Sequence, residues 1–212
     1  MDTSVSVPSA PLTGGLSDPP VKSSRNIEIE IPPSSIADDE AFVATLVGII
    51  NAAYTETEAD IFKPGYVRTS VQDIGTLIRS GQLATASEIT TPSGGRVPLG
   101  CISIQKLSDS RAELGLFAVA AELRRQGLGR DLLRFAEQWC LDNLGGPGVA
   151  IAELHLLFPT HFEHPFKVRL QEWYTRKGYH LTGSRDFLLD YPQLEPLLAG
   201  PTEYRILQKK LT

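Results

Sequence analysis

Apolar residues recur at helical spacing in four segments of the chain, and several of these segments carry recognisable end signals. The second segment begins with a capping-box pattern at Ser70 and Asp73, and Gly81 supplies its C-terminal stop. The fourth begins at Pro165, a residue that is favoured in the first turn of a helix. The spacing predicts four amphipathic helices, at residues 38–54, 70–81, 128–144 and 165–178.

Seven other segments are short, and they are either alternating or continuously apolar, as strands are. Their sequences are NIEIEI, LATASEI, PLGCISIQKL, RAELGLFAV, VAIAELHLLF, HLTGSRDFLLD and EYRILQKKL. The turn-forming stretch TPSGGRVP between the second and third predicts a hairpin. Together with the helices, the strands give the order β-α-α-β-β-β-α-β-α-β-β, which is typical of one mixed α/β layer structure.

The chain divides by composition into a short tail and one domain. Residues 1–25 are rich in Ser, Pro and Gly and have no apolar period, so we expect a disordered tail. Residues 26–212 hold all the predicted elements. The chain of 212 residues is 42% hydrophobic, which is enough for one good core or at most two small ones.

The charge and the cysteine content exclude several classes of protein. A net charge of −5 and a pI near 5.4 argue against a general nucleic-acid binder, which needs a basic face. No apolar run is long enough to span a membrane, and no signal core opens the chain, so we expect no membrane partner and a cytoplasmic protein. Cys101 and Cys140 lie in apolar segments and are expected to be reduced core residues.

The stretch ELRRQGLGRDLL, residues 122–133, places two glycines at the start of the third predicted helix. Backbone N–H groups at such a helix terminus point outward without partners, and the helix dipole adds positive charge there. The glycines would let a phosphate or pyrophosphate approach the backbone, with Arg124, Arg125 and Arg130 around it. The alternative from the residues alone is a plain strand-to-helix turn with solvated arginines.

Two motifs in this chain resemble those of the GNAT superfamily, the Gcn5-related N-acetyltransferases. Arg124-x-x-Gly127-x-Gly129 resembles the family signature Q/R-x-x-G-x-G/A, between a fourth strand and the following helix. EWYTRKGY, residues 172–179, resembles the later family motif. The resemblance extends from about residue 26 to 211. It implies a single-domain α/β (α+β) fold, a central mixed, mostly antiparallel sheet of about seven strands flanked by about four helices.

The resemblance also implies acetyl-CoA as co-substrate and no metal. The backbone amides of Arg125 to Gly129 would hold the pyrophosphate, and the pantetheine would pair along the fourth strand, where the Val119 N–H could polarise the thioester carbonyl. His161-x-x-His164 lacks a third ligand of defined geometry, so no metal site is predicted. The expected donor-binding residues are Phe117, Ala118, Val119, Arg124, Arg125, Gln126, Gly127, Leu128, Gly129 and Arg130.

Amine acetylation needs a base for the ammonium and an acid for the leaving thiolate. Glu113, which opens ELGLFAV, resembles in position the base of histone-type family members. Tyr174 is the candidate general acid, because it resembles in position the tyrosine that faces the CoA sulfur in the family, and we expect Trp173 beside it to be a core residue. The alternatives are a solvated strand-end glutamate, a core tyrosine and, for His155 in the fifth strand, either a core histidine or a proton relay.

The acceptor is expected near the acidic sequence NAAYTETEADIF, residues 51–62, since the region between the first two helices overhangs the acceptor site in the family that the motifs resemble. Asn51, Tyr54 and Glu58 are the candidate substrate-binding residues, and their acidic surroundings favour a small cationic amine. A solvated acidic helix end is the alternative. Many family members have an asparagine near the start of the last helix, which this chain lacks, and His164 or Lys167 could replace it.

The sequence therefore predicts an acetyl-CoA-dependent N-acetyltransferase that acts by direct attack in a ternary complex on a small-molecule amine. A protein or peptide N-acetyltransferase, a non-catalytic acyl-CoA-binding module and a structural protein are the alternatives. A homodimer is one of the assemblies left open.

Overall fold

The computed structural model describes residues 25–90 and 95–212. It confirms the predicted order of strands and helices. The predicted tail, apart from Arg25, lies outside the described residues, as does the tip of the predicted hairpin at 91–94. The strands are β1 Ile27–Glu30, β2 Leu83–Ile89, β3 Arg96–Ser108, β4 Arg111–Val119, β5 Ile151–Pro159, β6 His180–Asp186 and β7 Thr202–Lys210. The helices are α1 Glu40–Glu58, α2 Val71–Arg79, α3 Leu128–Asn143 and α4 Pro165–Arg176.

The strands form one sheet in the order β1-β2-β3-β4-β5-β7-β6. Every neighbouring pair is antiparallel except β4 and β5, which run parallel. The parallel pair is connected through α3, as a parallel connection requires a crossover. The expected mixed, mostly antiparallel sheet of seven strands with four helices is confirmed.

Helices cover both faces of the sheet. Helices α1 and α2 bury one apolar cluster against β2, β3 and β4, with Leu46, Ile50 and Ile74 fully enclosed. Helix α3 packs on the other face, where Leu132 and Ala136 lie in the largest cluster together with residues of α4. The sheet is thus the middle of three layers, and any opening in it connects the two helical layers.

The helix ends follow local signals, with one exception. The side chains of Ser70 and Asp73 cap α2 reciprocally, as predicted, and the carboxylate of Asp39 accepts a hydrogen bond from the Phe42 N–H at the start of α1. Helix α1 continues to Glu58, beyond the predicted end at Tyr54. The apolar period stops earlier than the helix because the last turn of α1 faces a cavity rather than the core.

Strand β4 contains a bulge that reverses which of its residues face α3. Leu116 has φ +39°, in the left-handed region, and the pair Leu116 and Phe117 lies opposite the single residue Ile102 of β3. Before the bulge, Leu114 packs in the α3 cluster; after it, Phe117 and Val119 pack there and Leu116 packs toward α1. A regular strand would have placed Phe117 on the opposite face.

The parallel strands β4 and β5 separate beyond the bulge. They pair only at residues 111–114 with 151–154, although β4 continues to Val119 and β5 to Pro159. The outer edges of both strands stay bonded, to β3 and to β7 respectively. The sheet therefore has a wedge-shaped gap in its middle, between two strands that are held rigidly by their other neighbours.

Two remaining expectations concern the cysteines and membranes. Both cysteines are buried and free, as predicted. Across the described part of the chain, none of the helices has the length and apolar character needed to cross a bilayer. The cytoplasmic location and the assembly state stay predictions.

Candidate functional site

A cavity of about 240 Å³ fills the gap between β4 and β5. Residues from both helical layers line it, since the open sheet lets α1 on one face and α4 on the other reach the same space. The side chains contributed by the helices include Tyr54 and Glu58 from α1 and Lys167, Leu170 and Tyr174 from α4. The gap thus forms a passage through the sheet.

A second cavity, of about 460 Å³, adjoins the first on the side of the 66–69 segment and of the 3-10 turn Pro192–Leu197. Its lining is mixed, and its polar residues include Asp73, Gln82, Gln105 and Gln193. The residues that line both cavities are Arg68, Glu113, Gly115, Leu116, Tyr191 and Tyr204. These six mark a junction at which a molecule in one cavity would meet a molecule in the other.

Glu113 stands at this junction and is linked to two buried side chains. Its carboxylate lies 3.3 Å from Nδ1 of His155, and Nε2 of His155 lies 2.7 Å from the carboxylate of Glu153. Arg111 and Gln208 donate hydrogen bonds to the other oxygen of Glu153. The alignment follows from the sheet, because Glu113 and Glu153 are directly paired residues of β4 and β5 and share a face.

The pKa values of Glu113 and Glu153 are shifted in opposite directions. Burial raises the pKa of Glu113, against the opposing effect of the nearby His155. For Glu153, burial alone would raise the pKa, but hydrogen bonds from His155, Gln208 and Arg111 outweigh it and the pKa is lowered. Glu153 is therefore a fixed anion that holds His155, whereas Glu113 can take up and release a proton near neutral pH more readily than an ordinary glutamate.

The glycine-containing loop leads into α3 with its backbone in left-handed conformations. Gly127 is the N-cap with φ +96°, and no side chain caps the helix. Arg125 also has a positive φ, of +64°. Gly129 faces Phe117, and a Cβ added to Gly129 would lie 3.4 Å from the Phe117 ring. The uncapped N–H groups at this terminus and the helix dipole suit an anion, as predicted from the spacing.

Side chains around the loop have different roles. Leu128 is buried in the core, so only its backbone faces outward, whereas Arg125 and Gln126 are exposed. Arg130 pairs with the neighbouring Asp131. Arg124 lines the first cavity and pairs with Glu56 at the end of α1, N–O distance 2.6 Å.

Glu58 and Lys167 form a buried ion pair across the gap. Their side chains are 5% and 6% exposed and their N–O distance is 2.5 Å, while the second oxygen of Glu58 has no partner within the described residues. The pair joins the last turn of α1 to the first turn of α4. It thereby fixes the width of the cavity from two helices on opposite faces of the sheet.

Tyr174, Tyr54 and Arg68 complete the wall of the first cavity. Tyr174 is buried in the cavity wall, and burial raises the pKa of its phenol, which therefore stays protonated. Trp173 beside it is only partly buried and packs at the edge of the core against Phe117. Burial raises the pKa of Tyr54 to about 12, against the opposing charge of Arg68, whose guanidinium carbon is 4.7 Å from the centre of the Tyr54 ring.

The structure brings seven of the fifteen predicted site residues to the first cavity; the loop residues from Arg125 to Arg130 are not part of its lining. Glu113, Tyr174, Phe117, Val119, Arg124, Tyr54 and Glu58 all line the first cavity. Asn51 instead bonds the backbone N–H and carbonyl of Thr69 through its side-chain amide, and so fixes the 66–69 segment to α1. Ala118 faces the α1 cluster. Of the two proposed replacements for the asparagine, Lys167 reaches the cavity and His164 does not.

The sequence reasoning missed Arg68, Tyr191 and Tyr204, which line both cavities. Arg68 and Tyr191 lie in irregular segments without periodicity, and Tyr204 lies in β7, far along the chain from the motifs. No local sequence pattern marks Arg68 or Tyr191 as site residues. The only signal for Tyr204 is that an aromatic residue occurs in an otherwise alternating strand. Over residues 25–90 and 95–212, no group of three His, Cys, Asp or Glu side chains is arranged to hold a metal ion.

Comparison with known protein families gives a match to part of the chain. Residues 84–161 match the model of the Acetyltransferase (GNAT) family. This segment runs from β2 to the end of β5 and contains the bulge, the glycine loop and Glu113. No curated protein sequence matches the chain.

Solved structures show the same fold at low sequence identity. The GNAT-family acetyltransferase of Streptococcus pneumoniae is 13% identical with a TM-score of 0.55, over 88% of this chain and 99% of that one. An aminoglycoside 6'-N-acetyltransferase complexed with coenzyme A is 14% identical with a TM-score of 0.54, over 80% and 91%. The NatC complex bound to Gag peptide and CoA contains a chain that is 14% identical with a TM-score of 0.54, over 88% and 99%. The resemblance seen in the motifs is confirmed.

Proposed function

Because the chain has the GNAT fold and matches the GNAT acetyltransferase family over residues 84–161, we propose that it transfers an acetyl group from acetyl-CoA to a small primary amine by direct attack in a ternary complex. One observation carries the proposal beyond the family match. The gap between β4 and β5 has the N-terminus of α3, which no side chain caps, beside it, and Glu113, whose pKa burial raises, at its junction with the second cavity.

The donor fits the residues around the gap. Backbone N–H groups from Arg125 to Gly129 would hold the pyrophosphate, and the unpaired inner edge of β4 at residues 117–119 would bind the pantetheine amides. The Val119 N–H is our candidate to polarise the thioester carbonyl, since a fixed donor stabilises the oxyanion that develops there. Acetyl-CoA supplies the activated acetyl group, and the chain supplies position and proton transfer.

Glu113 would act as the base. The acceptor arrives as an ammonium and must lose one proton before its nitrogen lone pair attacks the carbonyl carbon. When the Nε2–H of His155 is donated to Glu153, Nδ1 presents its lone pair to Glu113. A proton taken by Glu113 can then pass to Nδ1, and the resulting imidazolium lies between two carboxylates. His155 thus serves as a relay rather than as a core histidine.

Tyr174 would assist the leaving group. As the N–C bond forms, the C–S bond breaks. The attacking nitrogen then loses its second proton and the CoA thiolate gains one, so the proton that leaves the nitrogen can protonate the sulfur. The raised pKa of Tyr174 keeps its O–H protonated, so that it can donate a hydrogen bond to the sulfur. The same shift makes full proton transfer from the phenol less favourable than it would be from an ordinary tyrosine.

The acceptor site is the second cavity, which meets the first at Glu113. The acidic residues that favoured a cationic acceptor are engaged within the protein, Glu56 with Arg124 and Glu58 with Lys167. Attraction of the ammonium therefore rests on Glu113 in place of an acidic cluster. The limited volume of the site, about 460 Å³, favours a small molecule over a peptide.

Replacing Gly129 with glutamate tests whether the loop holds acetyl-CoA. Wild-type protein at about 100 times the dissociation constant should gain roughly 2.7 kcal/mol of apparent stability. In Gly129→Glu, a carboxylate in the first turn of α3 repels the pyrophosphate, yet it suits the helix dipole and preserves the fold. We expect at least tenfold weaker binding, measured as the loss of the acetyl-CoA-induced rise in Tm.

Gly129→Ala is the matched control, because its Cβ would make ordinary contact with Phe117 and Val119. It should keep the Tm shift and the amine-dependent release of CoA. An unchanged Tm shift in the glutamate variant would mean that the loop is only a structural turn, and the proposed donor site would then be wrong.

A further inference from the structure

Arg68 occupies a special position between the two cavities. It lies in the irregular segment between α1 and α2, and it is held in place by its stacking on Tyr54, 4.7 Å from the ring centre, and by the Asn51 bonds to the adjacent Thr69. Its side chain lines both cavities. The guanidinium is therefore fixed at the junction instead of extending into solvent.

Within the described residues, this guanidinium has no carboxylate within ion-pair distance and no hydrogen-bond acceptor. Arg124, the other arginine at the first cavity, is by contrast paired with Glu56. Glu58, the acidic side chain whose charge acts on Arg68 within the cavity, is bound by Lys167 at 2.5 Å. A half-buried arginine with five unused N–H donors is suited to a planar anion such as a carboxylate.

The junction carries one cation and one anion that do not pair with each other. Among its six residues, Arg68 and Glu113 are the charged ones, and no ion pair joins them. The charges of both Arg68 and Glu113 act on the phenol of Tyr204. A molecule with an ammonium at Glu113 and a carboxylate at Arg68 would satisfy both groups.

We propose that the acceptor carries a carboxylate close to its amino group, as an amino acid does, and that Arg68 binds this carboxylate. This inference rests on the proposed function, because it assigns the substrate class of the same site. The carboxylate anchors the acceptor while Glu113 removes the proton from its ammonium. Acetylation neutralises the amine, so the product loses its attraction to Glu113 and keeps only the Arg68 contact.

The test compares amino acids with their carboxamides as acceptors at saturating acetyl-CoA. Each rate is divided by the concentration of unprotonated amine, because the amino group of a carboxamide is a weaker base than that of the corresponding amino acid. A panel of small, large apolar and polar side chains keeps the result independent of side-chain fit. We expect wild-type protein to have a kcat/KM about 10- to 100-fold higher for the acids than for the matched amides, the range for a charge-assisted bidentate contact.

In Arg68→Met, which keeps the length and an apolar contact surface for Tyr54, the ratio of kcat/KM for acids to that for amides should fall to near unity. Arg68→Lys should keep part of the preference, since it restores the charge without the bidentate geometry. Arg134→Met removes an exposed arginine from α3 and is the matched control, expected to keep the full preference.

Three outcomes would overturn the proposal. The wild-type protein could use amides, peptides or simple alkylamines as well as the acids. Arg68→Met could retain the preference for acids. It could also weaken acetyl-CoA binding as strongly as turnover, which would assign Arg68 to the donor. Failure of the proposed function is distinct from all of these, since no amine of any kind would then be acetylated even where acetyl-CoA raises the Tm.

Discussion

Glu113→Gln is expected to lower kcat/KM for the amine about 10²- to 10⁴-fold and to leave the Kd for acetyl-CoA unchanged. Glutamine has nearly the same shape as glutamate and keeps hydrogen-bonding groups near His155, so the change removes the proton acceptor and little else. Steady-state kinetics with a saturating donor, together with titration of acetyl-CoA, separate the two quantities.

The pH dependence gives this prediction a second readout. Activity requires deprotonated Glu113, and burial raises its pKa, so the acid limb of the kcat/KM profile should lie above the ordinary glutamate pKa of about 4.3. Activity should fall as the pH drops through this raised pKa, and the residual activity of Glu113→Gln should lack that limb. A variant that keeps both the full rate and the acid limb would assign the base to another group.

Lys167→Met is expected to destabilise the fold by about 3–5 kcal/mol, because it leaves the carboxylate of Glu58 buried without its partner. The side chain of methionine fills most of the same volume, so packing changes little. The double variant Glu58→Met/Lys167→Met should recover much of the loss, since two apolar side chains of similar size replace both charges. Urea denaturation of the three proteins measures the free energies of unfolding.

Lys106→Met provides the matched control for loss of a lysine ion pair. Lys106 pairs with Asp109 at the surface, where both side chains are well exposed, and its replacement should change the stability little. If Lys167→Met were as stable as this control, the Glu58 carboxylate would have to be hydrated in the cavity, and the pair would not fix the width of the gap.

The order of strands and helices could be predicted because each element carries its own periodicity and end signals. The reciprocal cap of Ser70 and Asp73 and the proline at the start of α4 are examples in which local chemistry is sufficient. The end of α1 could not be predicted in this way. Its last turn is polar and is stabilised by the pairing of Glu58 with a residue 109 positions away.

The candidate site was predictable where a motif is local and unpredictable where distant segments meet. The glycine loop, Glu113 and Tyr174 could be located from short motifs. The bulge at Leu116 could not, since alternation in RAELGLFAV reads as a regular strand and the reversal of faces depends on pairing with β3. Arg68 has no pattern around it, and its position becomes meaningful only when α1 and the cavities surround it.

The acidic residues at 56–60 show that a sequence gives the position of a charge along the chain but not the partner that neutralises it. The sequence placed these carboxylates beside the acceptor, and the structure places Glu58 in the cavity wall. Glu56 and Glu58 nonetheless pair with Arg124 and Lys167, two partners that sequence spacing cannot reveal. The junction carries the cation of Arg68 as well as the anion of Glu113, so the expected acceptor has a carboxylate in addition to its ammonium.

The most direct test of catalysis is to compare the release of CoA by wild-type protein and by Tyr174→Phe, with and without a primary amine. Phenylalanine preserves the buried ring and removes only the O–H. We expect wild-type protein to release one CoA per acetylated amine, and the variant to bind acetyl-CoA equally well but to turn over about 10- to 100-fold more slowly. Tight binding of acetyl-CoA by the wild-type protein without amine-dependent release would contradict catalysis and indicate an acyl-CoA-binding module.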